Sequence, residues 1–207
     1  MTQKCVTDEQ YGQLRRRVDE LVRRTDEGTL LFDVVMAALQ NVIRGKFGNA
    51  AVSALLDSLG TVQVSSTGKF LANQHFTTNS KEVKITAIGD NFKENFLCKV
   101  EDPQRKITLR ISKLKKNSLD KPILDELGSK YDTTLASIWE LLKKQPNVEF
   151  GKLLTNGSAN IFYVYNVKGV PWAVSVRWHG AGWFVGAISV EDLREWGGGD
   201  QVFSCNS

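Results

Sequence analysis

The stretches Ile161-Phe-Tyr-Val-Tyr165, Val170-Pro-Trp-Ala-Val-Ser-Val-Arg-Trp178 and Trp183-Phe-Val-Gly-Ala-Ile-Ser-Val190 decide the fold class. All three are rich in β-branched and aromatic residues. The gaps between them, Asn166-Val-Lys-Gly169 and His179-Gly-Ala-Gly182, have turn chemistry. The pattern predicts an antiparallel meander. With four residues in each loop, Trp178 faces Trp183, Val176 faces Val185, Val174 faces Ala187, and Tyr163 faces Trp172. These residues share one sheet face, the expected core face. The opposite face carries Phe162, Ala173, Ser175, Arg177, Phe184, Gly186 and Ile188, and is small at its centre. Pro171 has no amide to donate, so the middle strand is expected to begin at Trp172. A turn at Glu191–Trp196, the run Gly197-Gly-Gly199 and a strand at Gln201–Ser204 follow.

Upstream, Val83–Ala87 reads as a strand, and Asp90 reads as the cap of a short helix to Phe96. Leu97–Glu101 and Ile107–Leu114 read as strands joined by the turn Asp102-Pro-Gln-Arg105. Ser118 is positioned to cap a helix to Leu127, with Gly128 behind it. Asp132 or Thr133 is positioned to cap another to Lys144, stopped by Pro146.

The first 60 residues read as helices. Thr7 with Gln10 forms a capping-box pattern. Tyr11, Leu14, Val18 and Leu21 follow at helical spacing, and Gly28 is a natural stop. A second helix is expected from about Asp33 to Arg44. A third is expected from Asn49 to Leu59, capped by its asparagine. Residues 61–80 are polar and read as a linker or arm, with Phe70, Leu71 and Phe76 able to pin it. The expected organisation is therefore α+β: a helical segment over residues 1–60, a linker over 61–80, and a domain over 81–207. That domain is an antiparallel sheet with helices packed on it.

At 207 residues the chain is long enough for one ample core. Its apolar content of 42% is that of a globular protein. No apolar run has the length of a membrane span, and the start of the chain lacks the apolar core of a secretory signal. Three widely spaced cysteines (Cys5, Cys98, Cys205) form no C-x-x-C, so the expected compartment is the reducing cytoplasm. Cys98 is expected to be a small buried hydrophobe.

The formal net charge is +4, and its location is informative. Gln104–Lys116 holds six basic side chains and no acidic one, whereas acidic residues outnumber basic ones over the rest of the chain. On a strand, Thr108, Arg110 and Ser112 point one way and Ile107, Leu109 and Ile111 the other. Arg105, Lys106, Arg110, Lys113, Lys115 and Lys116 are thus candidate contacts for nucleic-acid phosphates or an acidic protein. The competing reading is an edge strand protected from aggregation by its lysines.

Catalytic motifs are missing. His75 and His179 have no Cys or His at ligand spacing, so neither a metal nor a cofactor is expected. The glycine triplet reads as a turn rather than a phosphate cradle. Arg177 and His179 form a weaker candidate pair for acid–base work on RNA, with Glu191 and Glu195 as possible carboxylates. Trp172, Trp178, Trp183 and Trp196 read as core, with base stacking as the alternative. A helix-turn-helix is disfavoured because Asn49–Leu59 offers no Lys or Arg.

Leu153–Tyr165, together with Gly182-Trp-Phe-Val-Gly-Ala187, resembles uncharacterised bacterial proteins from about residue 70 onward. The resemblance implies a bacterial or phage origin and no activity. The leading expectation is a non-enzymatic binding protein using segment 104–116, with self-association through the N-terminal helices. The alternatives are a small ribonuclease-like or other hydrolytic enzyme centred on His179 and Arg177, and a protein-directed inhibitor or adaptor.

Overall fold

A computed structural model describes residues 8–43 and 54–206. They fall into two compact units that divide between Ser53 and Ala54. The first unit holds helices α1 (Asp8–Asp26) and α2 (Phe32–Ile43). Gly28 ends the first helical run at φ +69°, the left-handed geometry that glycine adopts without penalty. The expected caps at Thr7 and Asn49, and the ends of the second helix at Arg44 and Gly45, lie outside the described residues.

The second unit runs β1 (Leu56–Val64), β2 (Phe70–Leu71), α3 (Ala72–His75), β3 (Ile85–Ile88), α4 (Asp90–Phe96), β4 (Val100–Glu101) and β5 (Ile107–Leu114). It continues with α5 (Asp120–Leu127), a 3₁₀ turn (Gly128–Lys130), α6 (Leu135–Lys143), β6 (Asn160–Tyr165), β7 (Pro171–Trp178), β8 (Trp183–Ser189) and β9 (Gln201–Cys205). Seven strands form one sheet in the order β1-β5-β9-β6-β7-β8-β3, and β2 pairs with β4 in a separate ribbon. The sheet is mixed and mostly antiparallel. Only β6–β9 and β3–β8 run parallel. Helices precede and flank it, so the fold is α+β. Among the described residues no helix is long and apolar enough to cross a membrane.

The alternation of the strands builds a core on each side of the sheet. On one side Phe162, Val164, Val174, Val176, Trp178, Trp183, Val185 and Phe203 pack with α4 and α6. On the other, Leu114, Ile161, Tyr163, Ala173 and Val202 pack with Ile123 of α5 and with Trp196. The N-terminus of α6 is closed twice. The Thr134 hydroxyl accepts from the Ser137 amide at 3.1 Å, and the Glu101 carboxylate accepts from the Leu135 and Ala136 amides at 3.0 and 2.9 Å.

The meander is as predicted at its second hairpin: Trp178 pairs with Trp183, Val176 with Val185 and Val174 with Ala187. The two indoles meet edge to face at 5.4 Å. At the first hairpin the register is one residue off expectation. Tyr163 pairs with Ala173, and Trp172 with Val164. The loop has five residues, because Oδ1 of Asn166 accepts from the Lys168 and Val170 amides at 2.9 and 3.0 Å, while the Asn166 amide donates to the Val170 carbonyl. A one-residue slip reverses the faces of a strand. Phe162 therefore lies in the core expected to hold Tyr163, and Tyr163 lies in the opposite one. Pro171 pairs with Tyr165 and opens the strand.

Other expectations are corrected. Leu56–Leu59, read as the end of a third helix, is strand, and Thr61–Val64 continues it antiparallel to β5. Within segment 61–80, Phe70 and Phe76 pin the chain to the core as expected, and Val64 and Ala72 are buried with them. Leu97–Glu101 does not form a hairpin with Ile107–Leu114, because β4 pairs with β2. The backbone of Ser118 bridges Trp196, and α5 starts at Asp120 without a side-chain cap. Gly89, not Asp90, occupies the cap position of α4, and Thr134, rather than Asp132 or Thr133, caps α6. Cys98 is exposed rather than buried.

Candidate functional site

Beyond the second core, the same face of β7 and β8 carries an open cleft. Ser175 pairs with Gly186 and Arg177 with Phe184 across the two strands, so these four share that face. They floor a cleft of about 540 Å³. Gly89, Asp90 and Asn91 at the start of α4, His179, and Arg194, Glu195 and Trp196 also line it. A Cβ on Gly186 would lie 2.7 Å from Cε1 of Phe184, so the ring rests directly over that glycine. The α4 wall is fixed by the Gly89 amide donating to the Val185 carbonyl at 2.8 Å and by Asn91 Nδ2 donating to the Ala187 carbonyl at 3.2 Å.

Part of the charge here is neutralised locally. Asp90 pairs with Lys93 at 2.8 Å, and Arg194 pairs with Asp192 at 2.9 Å. Arg177, His179 and Glu195 have no side-chain ion-pair or hydrogen-bond partner among the described residues. Arg177 is half-buried, and its guanidinium carbon stands 5.6 Å from the centroid of the Trp196 ring. The His179 ring meets Phe184 edge-on at 5.9 Å.

Trp196 is itself anchored. Its indole nitrogen donates to Oδ1 of Asp120 at 2.7 Å, and the Tyr163 hydroxyl donates to the same oxygen at 2.8 Å. Asp120 is fully buried, and its Oδ2 has no hydrogen-bond partner among the described residues. Burial pushes its carboxyl above the ordinary range, against the pull of the two hydrogen bonds. Of the residues singled out in the sequence, Arg177, His179 and Glu195 line the cleft, and Glu191 does not. Sequence reasoning missed Asp120 and Trp196 as their support, because the Tyr163 register error hid the link.

The basic segment is not one surface. β5 lies between β1 and β9, so the edge-strand reading is corrected. Arg110 faces the side of Leu114, beside Ser112, Glu126, Lys130 and Ser204, whereas Lys113 falls on the side of Leu109 and Ile111. Lys115 pairs with Asp57 at 2.9 Å. Lys116 is exposed. Arg105 and Lys106 are exposed in the loop that the backbone of Gln104 ties to Thr67. The amides of Gly197, Gly198 and Gly199 donate to Asp200, Asn117 and Leu114, which leaves none for a phosphate. Trp178, Trp183 and Trp196 are buried and pack in the cores, whereas Trp172 is only partly buried against the first core. His75 lies against Phe70 at 4.4 Å and Trp139 at 5.0 Å, and burial lowers its pKa. Among the described residues no group of three His, Cys, Asp or Glu side chains is placed to hold a metal ion.

An α+β protein with an open cleft on its sheet is as far as fold and site define the class. Neither protein-family models, nor curated proteins, nor solved structures provide a match to this chain.

Proposed function

We propose that this chain is a binding protein whose cleft takes an anionic ligand through Arg177. The carrying observation is the state of that guanidinium: half-buried, 5.6 Å from the Trp196 ring centroid, and without an acidic partner among the described residues. A partly desolvated arginine gains most from a planar anion, which it can meet with two parallel N–H donors. Ser175, Asn91 and His179 line the same cleft and supply further polar contacts. The test is a thermal-shift and calorimetric panel of inorganic phosphate, a nucleoside monophosphate and a short acidic peptide, on wild type and Arg177→Gln. Saturable binding lost in the variant supports the reading. Equal responses in both proteins oppose it.

A second reading is hydrolysis, favoured by one observation: His179 and Glu195 line the cleft together with Arg177. An imidazole and a carboxylate on either side of a phosphodiester are suited to acid–base exchange while the arginine holds the phosphoryl oxygens. Cleavage of single-stranded RNA by wild type but not by His179→Ala distinguishes this from binding alone. The exposed Arg105, Lys106 and Lys116 of segment 104–116 would add weaker, separate contacts for a single-stranded nucleic acid.

A further inference from the structure

We propose that the sheet carries a second anion site, separate from the cleft, at which Arg110, Lys130 and three serines hold one tetrahedral oxyanion, a phosphate group. The strand register brings these side chains together. Ser58 of β1 pairs with Ser112 of β5, and Arg110 of β5 pairs with Ser204 of β9. Paired residues project from the same face, and Arg110 and Ser112 stand two apart on one strand. Three neighbouring strands thus present three hydroxyls and a guanidinium side by side. Next to them the same face is apolar, where Leu114 and Val202 enter the second core and Leu56 packs against it. Glu126 and Leu127 of α5 and Lys130 of the 3₁₀ turn complete the lining of a cavity of about 110 Å³. Pockets for drug-sized ligands measure roughly 300–1,000 Å³, so this one suits a single small ion or a phosphoryl head.

Two observations point to a ligand there. Ser112 is 4% exposed and Ser204 2%, both line the cavity, and neither hydroxyl has a hydrogen-bond partner among the described residues. A hydroxyl withdrawn from bulk water loses hydrogen bonds, and an oxyanion restores them as an acceptor. The second observation is the charge. Arg110 and Lys130 line the same cavity and pair with no carboxylate among the described residues. The one carboxylate in the lining, Glu126, is engaged elsewhere: its two oxygens accept from the Leu55 and Leu56 amides at 2.7 and 3.1 Å. Two cations against one engaged carboxylate oppose a metal ion and favour an anion. Lys130 follows the C-terminus of α5, so it also offsets the partial negative charge of that helix end. The guanidinium fork can meet two oxygens of a phosphate at once, and the hydroxyls can donate to the others.

The test is NMR of the backbone amides of the full chain, titrated at constant ionic strength with inorganic phosphate and then with glycerol phosphate, and with chloride as the control. Saturating shifts are expected at the Ser58, Ser112 and Ser204 amides. Their midpoint is expected to be unchanged in Arg177→Gln, which separates this site from the cleft. Arg110→Gln, at an exposed position, is expected to lose the response. Ser112→Ala with Ser204→Ala is expected to weaken it roughly tenfold while leaving the thermal transition in place, because these hydroxyls hold no bond in the free protein. Saturation by both probes supports the inference with a phosphomonoester as the ligand, and saturation by phosphate alone supports it with the free ion. Amides that stay fixed with both probes, that shift equally with chloride, or that respond unchanged in Arg110→Gln overturn it.

Discussion

The guanidinium of Arg177 stands beside the ring of Trp196, 5.6 Å from its centroid, and among the described residues it pairs with no carboxylate. Such a contact contributes only about 0.5–1 kcal/mol at a partly exposed site. Arg177→Gln is therefore expected to lower stability by about 1 kcal/mol or less, measured by urea denaturation, while abolishing anion binding. Arg177→Lys keeps the charge but loses the planar fork, and is expected to retain only a fraction of the affinity.

Tyr163→Phe removes the hydroxyl that Asp120 accepts at 2.8 Å within the buried second core. Hydrogen bonds to a charged group contribute about 1.5–3 kcal/mol, and the denaturation midpoint should fall accordingly. The same substitution at Tyr165, whose hydroxyl lies 2.6 Å from that of Tyr131 in a part-buried setting, is expected to cost less, about 1 kcal/mol.

Asp120 gives a pH signature of defined sign. Burial raises its folded-state pKa above the ordinary carboxyl value. Below the unfolded value both states are protonated and the residue exerts no pH-dependent effect. As pH rises toward the folded value, the unfolded state releases its proton first, so the residue's contribution to stability falls. Asp120→Asn cannot ionise. Its stability relative to wild type is expected to improve from acid to neutral pH, measured by denaturation at each pH. A difference that grows in the opposite direction would show that the two hydrogen bonds outweigh burial.

How far the fold was legible follows from where its contacts are local. Trp178 opposite Trp183 was readable because the His179–Gly182 turn sets that hairpin by itself. Tyr163 was misread because Asn166 uses its side chain to widen the other loop by one residue, a feature invisible to strand periodicity. Leu56–Val64 was read as helix and linker because its strand character comes from pairing with Ile107–Leu114, some fifty residues later, and its own composition is polar and contains Gly60. The cleft was half visible. Ser175 and Gly186 marked a small sheet face, and Arg177 and His179 stood on it. Gly89–Asn91 and Arg194–Trp196 reach it only through tertiary packing.

The basic segment is expected to act weakly on nucleic acid, because Arg110 and Lys113 lie on opposite faces and Lys115 is paired with Asp57. With about two usable contacts, log affinity for single-stranded DNA should fall against log salt with a slope no steeper than about −2. Filter binding at several salt concentrations measures it. A steeper slope that flattens in the Lys113, Lys115 and Lys116→Ala variant would assign the segment a larger role.

The most direct test of the cleft is two-dimensional NMR of the indole N–H signals during titration with inorganic phosphate at low salt. The chain has five tryptophans, and Trp196 is the one that lines the cleft. The account predicts a saturating shift of the Trp196 indole and of the Arg177 Nε–H signal, with the Trp139 and Trp183 indoles unmoved, and loss of the response in Arg177→Gln. Indole signals that stay fixed through millimolar phosphate, or a Trp196 shift that survives Arg177→Gln, would contradict it.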